Sequence, residues 1–67
     1  MFVDVFHRHG WSFFPSVRLK AGVWQGVVGV RTSAEAKIEY LCQMTRETKS
    51  EAIEDAIAAA MKLTEMV

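Results

Sequence analysis

Sixty-seven residues make one small domain, and a chain this short buries only about 60% of the surface its unfolded form exposes. With one cysteine, Cys42, and two histidines, His7 and His9, it can build neither an internal disulfide framework nor a four-ligand zinc set. Yet 51% of the residues are hydrophobic, more than so small a sphere can hide, which points to an oligomer.

The formal charge of zero conceals a division. Residues 1–33 carry Arg8, Arg18, Lys20 and Arg31 against Asp4 alone, four minus one, or +3. Residues 34–67 carry Lys37, Arg46, Lys49 and Lys62 against Glu35, Glu39, Glu47, Glu51, Glu54, Asp55 and Glu65, four minus seven, or −3. A basic half of this kind suits an anionic partner. No apolar run is long enough to span a bilayer, and Asp4 stands where a secretory signal needs basic residues. With its lone thiol, the chain reads as a cytoplasmic protein without a membrane partner.

In chain order, Val3, Val5 and His7 alternate with Phe2, Asp4 and Phe6, a pattern open to a short strand. Ser16-Val17-Arg18-Leu19-Lys20 alternates apolar and basic residues as a half-buried strand does. Ala21-Gly22 can turn the chain, and Val23 to Arg31 is again β-rich, so the two runs can pair as a hairpin. All four glycines and the single proline lie in the first 29 residues, so the rest of the chain is suited to helix. Thr32-Ser33-Ala34-Glu35 has the form of a capping box, and Ile38, Leu41, Cys42 and Thr45 come after it at helical spacing. Thr48-Lys49-Ser50-Glu51 is a second capping box, ahead of a stripe of Ile53, Ala56, Ile57, Ala60 and Met61. Two start signals imply two helices joined by a tight turn near residues 46–48; one unbroken helix over 34–66 is the alternative.

Strand, helix, turn, helix is the plan of the ribbon-helix-helix proteins. Val28-Gly29-Val30-Arg31-Thr32-Ser33 resembles their strand and helix start. Leu41-Cys42-Gln43-Met44-Thr45-Arg46-Glu47-Thr48-Lys49-Ser50-Glu51-Ala52-Ile53 resembles the turn and second helix of CopG-like repressors and VapB-type antitoxins. The resemblance covers roughly residues 27–62. Arg46 stands where that family usually has glycine, so it must either adopt a left-handed conformation or sit in a turn built differently.

The resemblance implies an α+β, intertwined homodimer with residues 24–67 as the ribbon-helix-helix domain and 1–23 as a β-like extension or arm. It implies a DNA-binding repressor whose two-stranded ribbon enters the major groove of double-stranded DNA. If Val28 and Val30 face the core, then Val27, Gly29 and Arg31 face outward, with Gln25 if the strand reaches it. Arg31 then suits guanine, Gln25 adenine and Val27 a thymine methyl, while Gly29 allows close approach. Thr48, Lys49 and Ser50, at the start of the second helix, are the expected phosphate clamp. Arg18 and Lys20 are auxiliary basic contacts. If residues 16–20 pair with 24–31, however, the dimer's sheet has four strands and is too broad for one groove.

Nothing in the sequence suggests catalysis, a cofactor or a metal. His7 and His9 share one side of a strand but have no further ligand at suitable spacing. Cys42 sits on an apolar stripe as a packing thiol, and Glu51, Glu54 and Asp55 mark a solvated helix edge. Trp11, Phe13, Phe14 and Trp24 either pack the hairpin or form a patch for a protein partner, such as a toxin. The second use would make the chain a small dimeric adaptor, antitoxin or inhibitor.

Overall fold

A computed structural model describes residues 5–32, 34 and 36–67. Four strands run in order, β1 (Phe6–Arg8), β2 (Trp11–Lys20), β3 (Val23–Arg31) and β4 (Lys37–Arg46), followed by one helix, α1 (Lys49–Glu65). The strands form a single antiparallel sheet in sequence order, so every connection is a local turn. Residues 6–20, expected as an extension or arm, supply two strands of this common sheet.

The two hairpin turns have the same chemistry. His9-Gly10 has φ of 51° and 80°, and Ala21-Gly22 has φ of 51° and 79°. Two successive positive φ values are the mark of a type I′ turn, whose twist matches that of the strands it joins. Glycine takes the second position at no steric cost, whereas Ala21 carries about 1–2 kcal/mol of left-handed strain that the nine paired positions of β2 and β3 offset. The hairpin expected around Ala21-Gly22 is therefore present, and it extends back to Ser12 paired with Arg31.

The ribbon-helix-helix expectation fails at the first helix. Residues 37–46 form β4, paired along β3, and both the two-helix plan and the unbroken helix from residue 34 are overturned. The physical reason is a competing periodicity. Ile38, Leu41, Cys42 and Thr45 match helical spacing, but Ile38, Tyr40, Cys42 and Met44 alternate with Lys37, Glu39, Gln43 and Thr45. Buried β3 decides between the two patterns, because its free edge needs a hydrogen-bonding partner that only a strand can supply. Ser33 and Glu35 of the first capping box lie outside the described residues. Thr32 closes the β3–β4 turn: its N–H donates to the Ala36 carbonyl at 3.0 Å, and its hydroxyl accepts from the Ala36 N–H at 3.2 Å.

The second start signal holds. Thr48 has extended backbone, its hydroxyl accepts from the Glu51 N–H at 3.3 Å, and it donates to the Glu51 carboxylate at 2.8 Å. Arg46 is not among the left-handed residues; it ends β4, and its guanidinium grips Asp55 of α1 at 2.8 and 3.1 Å. That ion pair fastens the end of the sheet to the helix. It also gives Asp55 a structural partner in place of the solvated position expected for it.

The helix lies on one face of the sheet. Phe13, Val28 and Val30 form the cluster that packs with Ala60, while Ala52, Ile53 and Ala56 bury the rest of the helix stripe. This stripe is covered by the chain's own sheet, not by the second protomer that an intertwined dimer would require. The contact is close because it is built from small residues. A methyl placed on Gly26 would stand 2.7 Å from the Ala52 carbonyl oxygen, 3.0 Å from the Ala56 nitrogen and 3.0 Å from the Cys42 sulfur. Two of those three atoms are helix backbone, so the helix itself must move to admit it. Gly26→Ala is expected to lose about 2 kcal/mol or more, a fall in Tm of about 8–16 °C for a domain this size, read by thermal denaturation.

Candidate functional site

Strand alternation assigns every side chain in the sheet to one of two faces. Pairing of Phe13 with Val30, Pro15 with Val28 and Val17 with Gly26 puts these residues on the helix-covered face. The other face has no helix across it. It carries Ser12, Phe14, Ser16, Arg18 and Lys20 from β2, their partners on β3, and Lys37, Glu39 and Leu41 from β4.

Charge is unevenly divided between the two sides. Among the described residues, the helix-free face has Arg18, Lys20, Arg31 and Lys37 against Glu39, four minus one, or +3. Helix α1 has Lys49 and Lys62 against Glu51, Glu54, Asp55 and Glu65, two minus four, or −2. Folding thus converts a division along the sequence into a division across the molecule.

Arg31 and Lys37 are direct cross-strand partners. Like charges directly opposite one another on a sheet face repel and disfavour the pairing. The Arg31 guanidinium lies 5.8 Å from the centroid of the Phe14 ring. Phe14 is 38% exposed and is cross-strand from Gly29, which has no side chain to cover it. An aromatic ring beside the Arg31 guanidinium and across from a glycine is thereby held open on this face.

The base-reading residues expected from the sequence share this face but differ in what they can reach. Arg31 is exposed. Val27 is only 5% exposed, buried between Ser16 and Leu41, which flank it across the sheet. Gln25 is already engaged: its amide donates to the Cys42 carbonyl at 2.7 Å and accepts from Arg18 Nε at 3.0 Å. The first of these bonds answers an irregularity in β4, where three residues, Cys42 to Met44, lie opposite Gly26 alone. Gln25 satisfies a carbonyl that the bulge removes from the ladder. Arg18 and Lys20 are exposed on the same face as Arg31.

The expected phosphate clamp lies elsewhere. Thr48, Lys49 and Ser50 are exposed at the start of α1, and the Lys49 ammonium is 5.8 Å from the ring of Trp24, a residue of the helix-covered face. The structure therefore brings Arg18, Lys20, Gln25, Gly29 and Arg31 together and separates them from residues 48–50. Sequence reasoning missed Phe14 and Lys37 as members of the group. The clue to Lys37 lay in reading residues 37–45 with a period of two.

The aromatic residues are not one patch. Phe13 is 1% exposed, in the core, and stacks with half-buried Trp11 at 6.3 Å between centroids; Trp24 is half-buried on the same side. Among the described aromatic residues, only Phe14 projects from the opposite face. His7 Nδ1 is 2.9 Å from the Ser12 hydroxyl, whereas His9 sits in the first turn, so the two imidazoles do not converge. Among the described residues, no group of three histidine, cysteine or carboxylate side chains is placed to hold a metal ion. No helix among them is long and apolar enough to cross a membrane. No protein-family model matches the chain, and comparisons with curated proteins and with solved structures find no match.

Cys42 is buried, and burial pushes its thiol pKa upward, with the negative charge of Asp55 adding to the effect. A raised thiol pKa favours the protonated form in the fold. Its contribution to stability is complete below the unfolded value and is lost as pH rises through the folded one. Iodoacetamide is thus expected to label Cys42 much more slowly than a free cysteine at neutral pH. Labelling should accelerate only above the ordinary thiol range, as followed by mass spectrometry across pH.

Proposed function

We propose that the helix-free face of the sheet binds nucleic acid, with single strands preferred over duplex. The observation that carries this reading is the cross-strand pair Arg31–Lys37, with Arg31 beside the exposed ring of Phe14, on a face whose described residues sum to +3. A phosphate between the two cations relieves their repulsion, and a base can stack on the ring. Arg18 and Lys20 extend the basic track toward the second hairpin turn, and the hydroxyls of Ser12 and Ser16 offer further phosphate contacts.

Dimensions favour single strands. Where β1 pairs with Trp11–Phe13, at the Arg31 end, four strands place the outer two about 14 Å apart, broader than the roughly 12 Å major groove and unlike a two-stranded ribbon. An exposed phenylalanine offers a stacking platform to the unstacked bases of a single strand, which a duplex presents only when it is distorted. Action as a repressor on double-stranded DNA is the duplex form of the same proposal, and the experiment distinguishes the two.

Anisotropy of a labelled oligothymidylate, titrated at several salt concentrations, is expected to show affinity rising as salt falls. Four phosphate contacts give a log–log slope of about −3 on a single strand. Arg31→Ala should lower that slope by about 0.7, and Phe14→Ala should weaken binding by about 1–3 kcal/mol. Lys49→Ala, altered on the other side of the sheet, should leave the slope unchanged. A duplex that binds more tightly, with no effect of Phe14→Ala, would transfer the reading to double-stranded DNA. Absence of binding to either form at low salt would end it.

A further inference from the structure

One row of the sheet carries more hydrogen-bond donors than the rest of its helix-free face. His7 pairs with Ser12, Ser12 with Arg31 and Arg31 with Lys37, so one side chain from each strand stands in line across the sheet. His7, Arg31 and Lys37 are exposed and Ser12 is half-buried. All of them can donate hydrogen bonds, and Arg31 and Lys37 are cations. This row is also the last on its face: Arg31 ends β3, Lys37 begins β4, and the His9-Gly10 turn joins β1 to β2 just beyond it. Elsewhere on the face the cations stand singly. Arg18 is across from Gln25, to which its Nε already donates at 3.0 Å, and Lys20 is across from Val23. Among the described residues no carboxylate stands in the row; Glu39 is in the next one, across from Gly29, and makes no ion pair with Arg31 or Lys37.

Phosphates differ in what they ask of such a row. An internal phosphodiester carries a single charge, which one cation matches. A terminal phosphate monoester carries about −1.5 to −2 at neutral pH and offers three free oxygens. Two facing cations with a hydroxyl beside them suit the monoester. Adjacent strands lie about 4.8 Å apart, so a phosphate over Arg31 is within side-chain reach of Ser12 on one side and Lys37 on the other. His7 supports the hydroxyl. Its Nδ1 is 2.9 Å from Ser12 Oγ, and with the proton on Nδ1 the ring donates, leaving the Ser12 proton free to donate to the anion.

We infer that this row recognises a strand end, taking the terminal phosphate monoester of a single-stranded oligonucleotide. The rest of the strand runs from there past Phe14 toward Arg18 and Lys20. Phe14 stands in the neighbouring row, about 7 Å along β2, so the base next to the seated phosphate falls within reach of its ring. The terminal position of the row agrees with this direction of travel, because the strand need not continue beyond the sheet. The inference rests on the nucleic-acid reading and adds a preference for phosphorylated ends, which that reading does not itself require.

Anisotropy of the full chain with one internally labelled oligonucleotide tests the inference. The strand is prepared with hydroxyls at both ends, with a 5′-phosphate, or with a 3′-phosphate. A phosphorylated form is expected to bind about tenfold more tightly than the hydroxyl-ended strand, and the end that gives the gain sets the strand's direction. Lys37→Gln and Ser12→Ala should each bring that ratio close to one while the circular dichroism of the fold is retained. Arg18→Gln, further along the track, should weaken all three strands alike and keep the ratio. Equal affinity for the three strands overturns the inference and leaves the nucleic-acid reading standing. A ratio that survives both Lys37→Gln and Ser12→Ala, or that falls as far in Arg18→Gln, overturns it as well, because the added charge is then felt by the whole face. Failure of every strand to bind at low salt ends the nucleic-acid reading and this inference with it.

Discussion

The close approach of α1 to the sheet at Gly26 governs the arrangement of this molecule. The Ala52 carbonyl oxygen and the Ala56 nitrogen stand within 3 Å of where a side chain on residue 26 would begin, so helix backbone rests almost directly on strand backbone. Such a contact needs glycine on the strand and alanine on the helix, and Ala52, Ala56 and Ala60 are all fully buried at that four-residue spacing. It also fixes the lateral position of α1. A helix seated on β3 at this point reaches β2 on one side and leaves most of β4 bare on the other. Opposite Gly26, β4 bulges by two residues, and Gln25 is drawn into satisfying the displaced carbonyl. The exposed β4 edge and the loss of Gln25 as a free side chain both stem from one small-residue contact.

Which parts of this were legible in the sequence depends on how local the deciding interactions are. The Thr48–Glu51 cap and the Ala21-Gly22 turn are encoded within four residues, and both formed where their residues indicated. The strand at 37–46 is not local. Its residues satisfy helical and alternating periodicities at once, and the choice falls to β3, whose free edge requires a strand beside it. A capping sequence and an absence of glycine and proline say only that helix is permitted. They carry no information about a neighbouring edge, and a family resemblance built on the adjacent turn inherited the same blindness.

The candidate site was half visible for the same reason. Alternation in β3 correctly separates Val28 and Val30 from Arg31, because a strand's faces are set by its own geometry. Whether an outward residue is reachable depends on its neighbours across the sheet. Val27 is outward yet buried, since Ser16 and Leu41 flank it, whereas Phe14 is outward and open because Gly29 flanks it. Lys37 joined the group only when β4 became a strand. Charge division along the chain was apparent from the outset, but its meaning changed on folding. What reads as a basic half and an acidic half is a basic face and an acidic helix on opposite sides of one layer.

Sidedness also limits how the basic face can be used. Face-to-face association of two such sheets would bury apolar Phe14 but would bring Arg18, Lys20, Arg31 and Lys37 against their own copies, at a high desolvation and repulsion cost. The same charges that oppose self-association there would attract an anion, so the sheet's open side discriminates between partners by the sign of their charge.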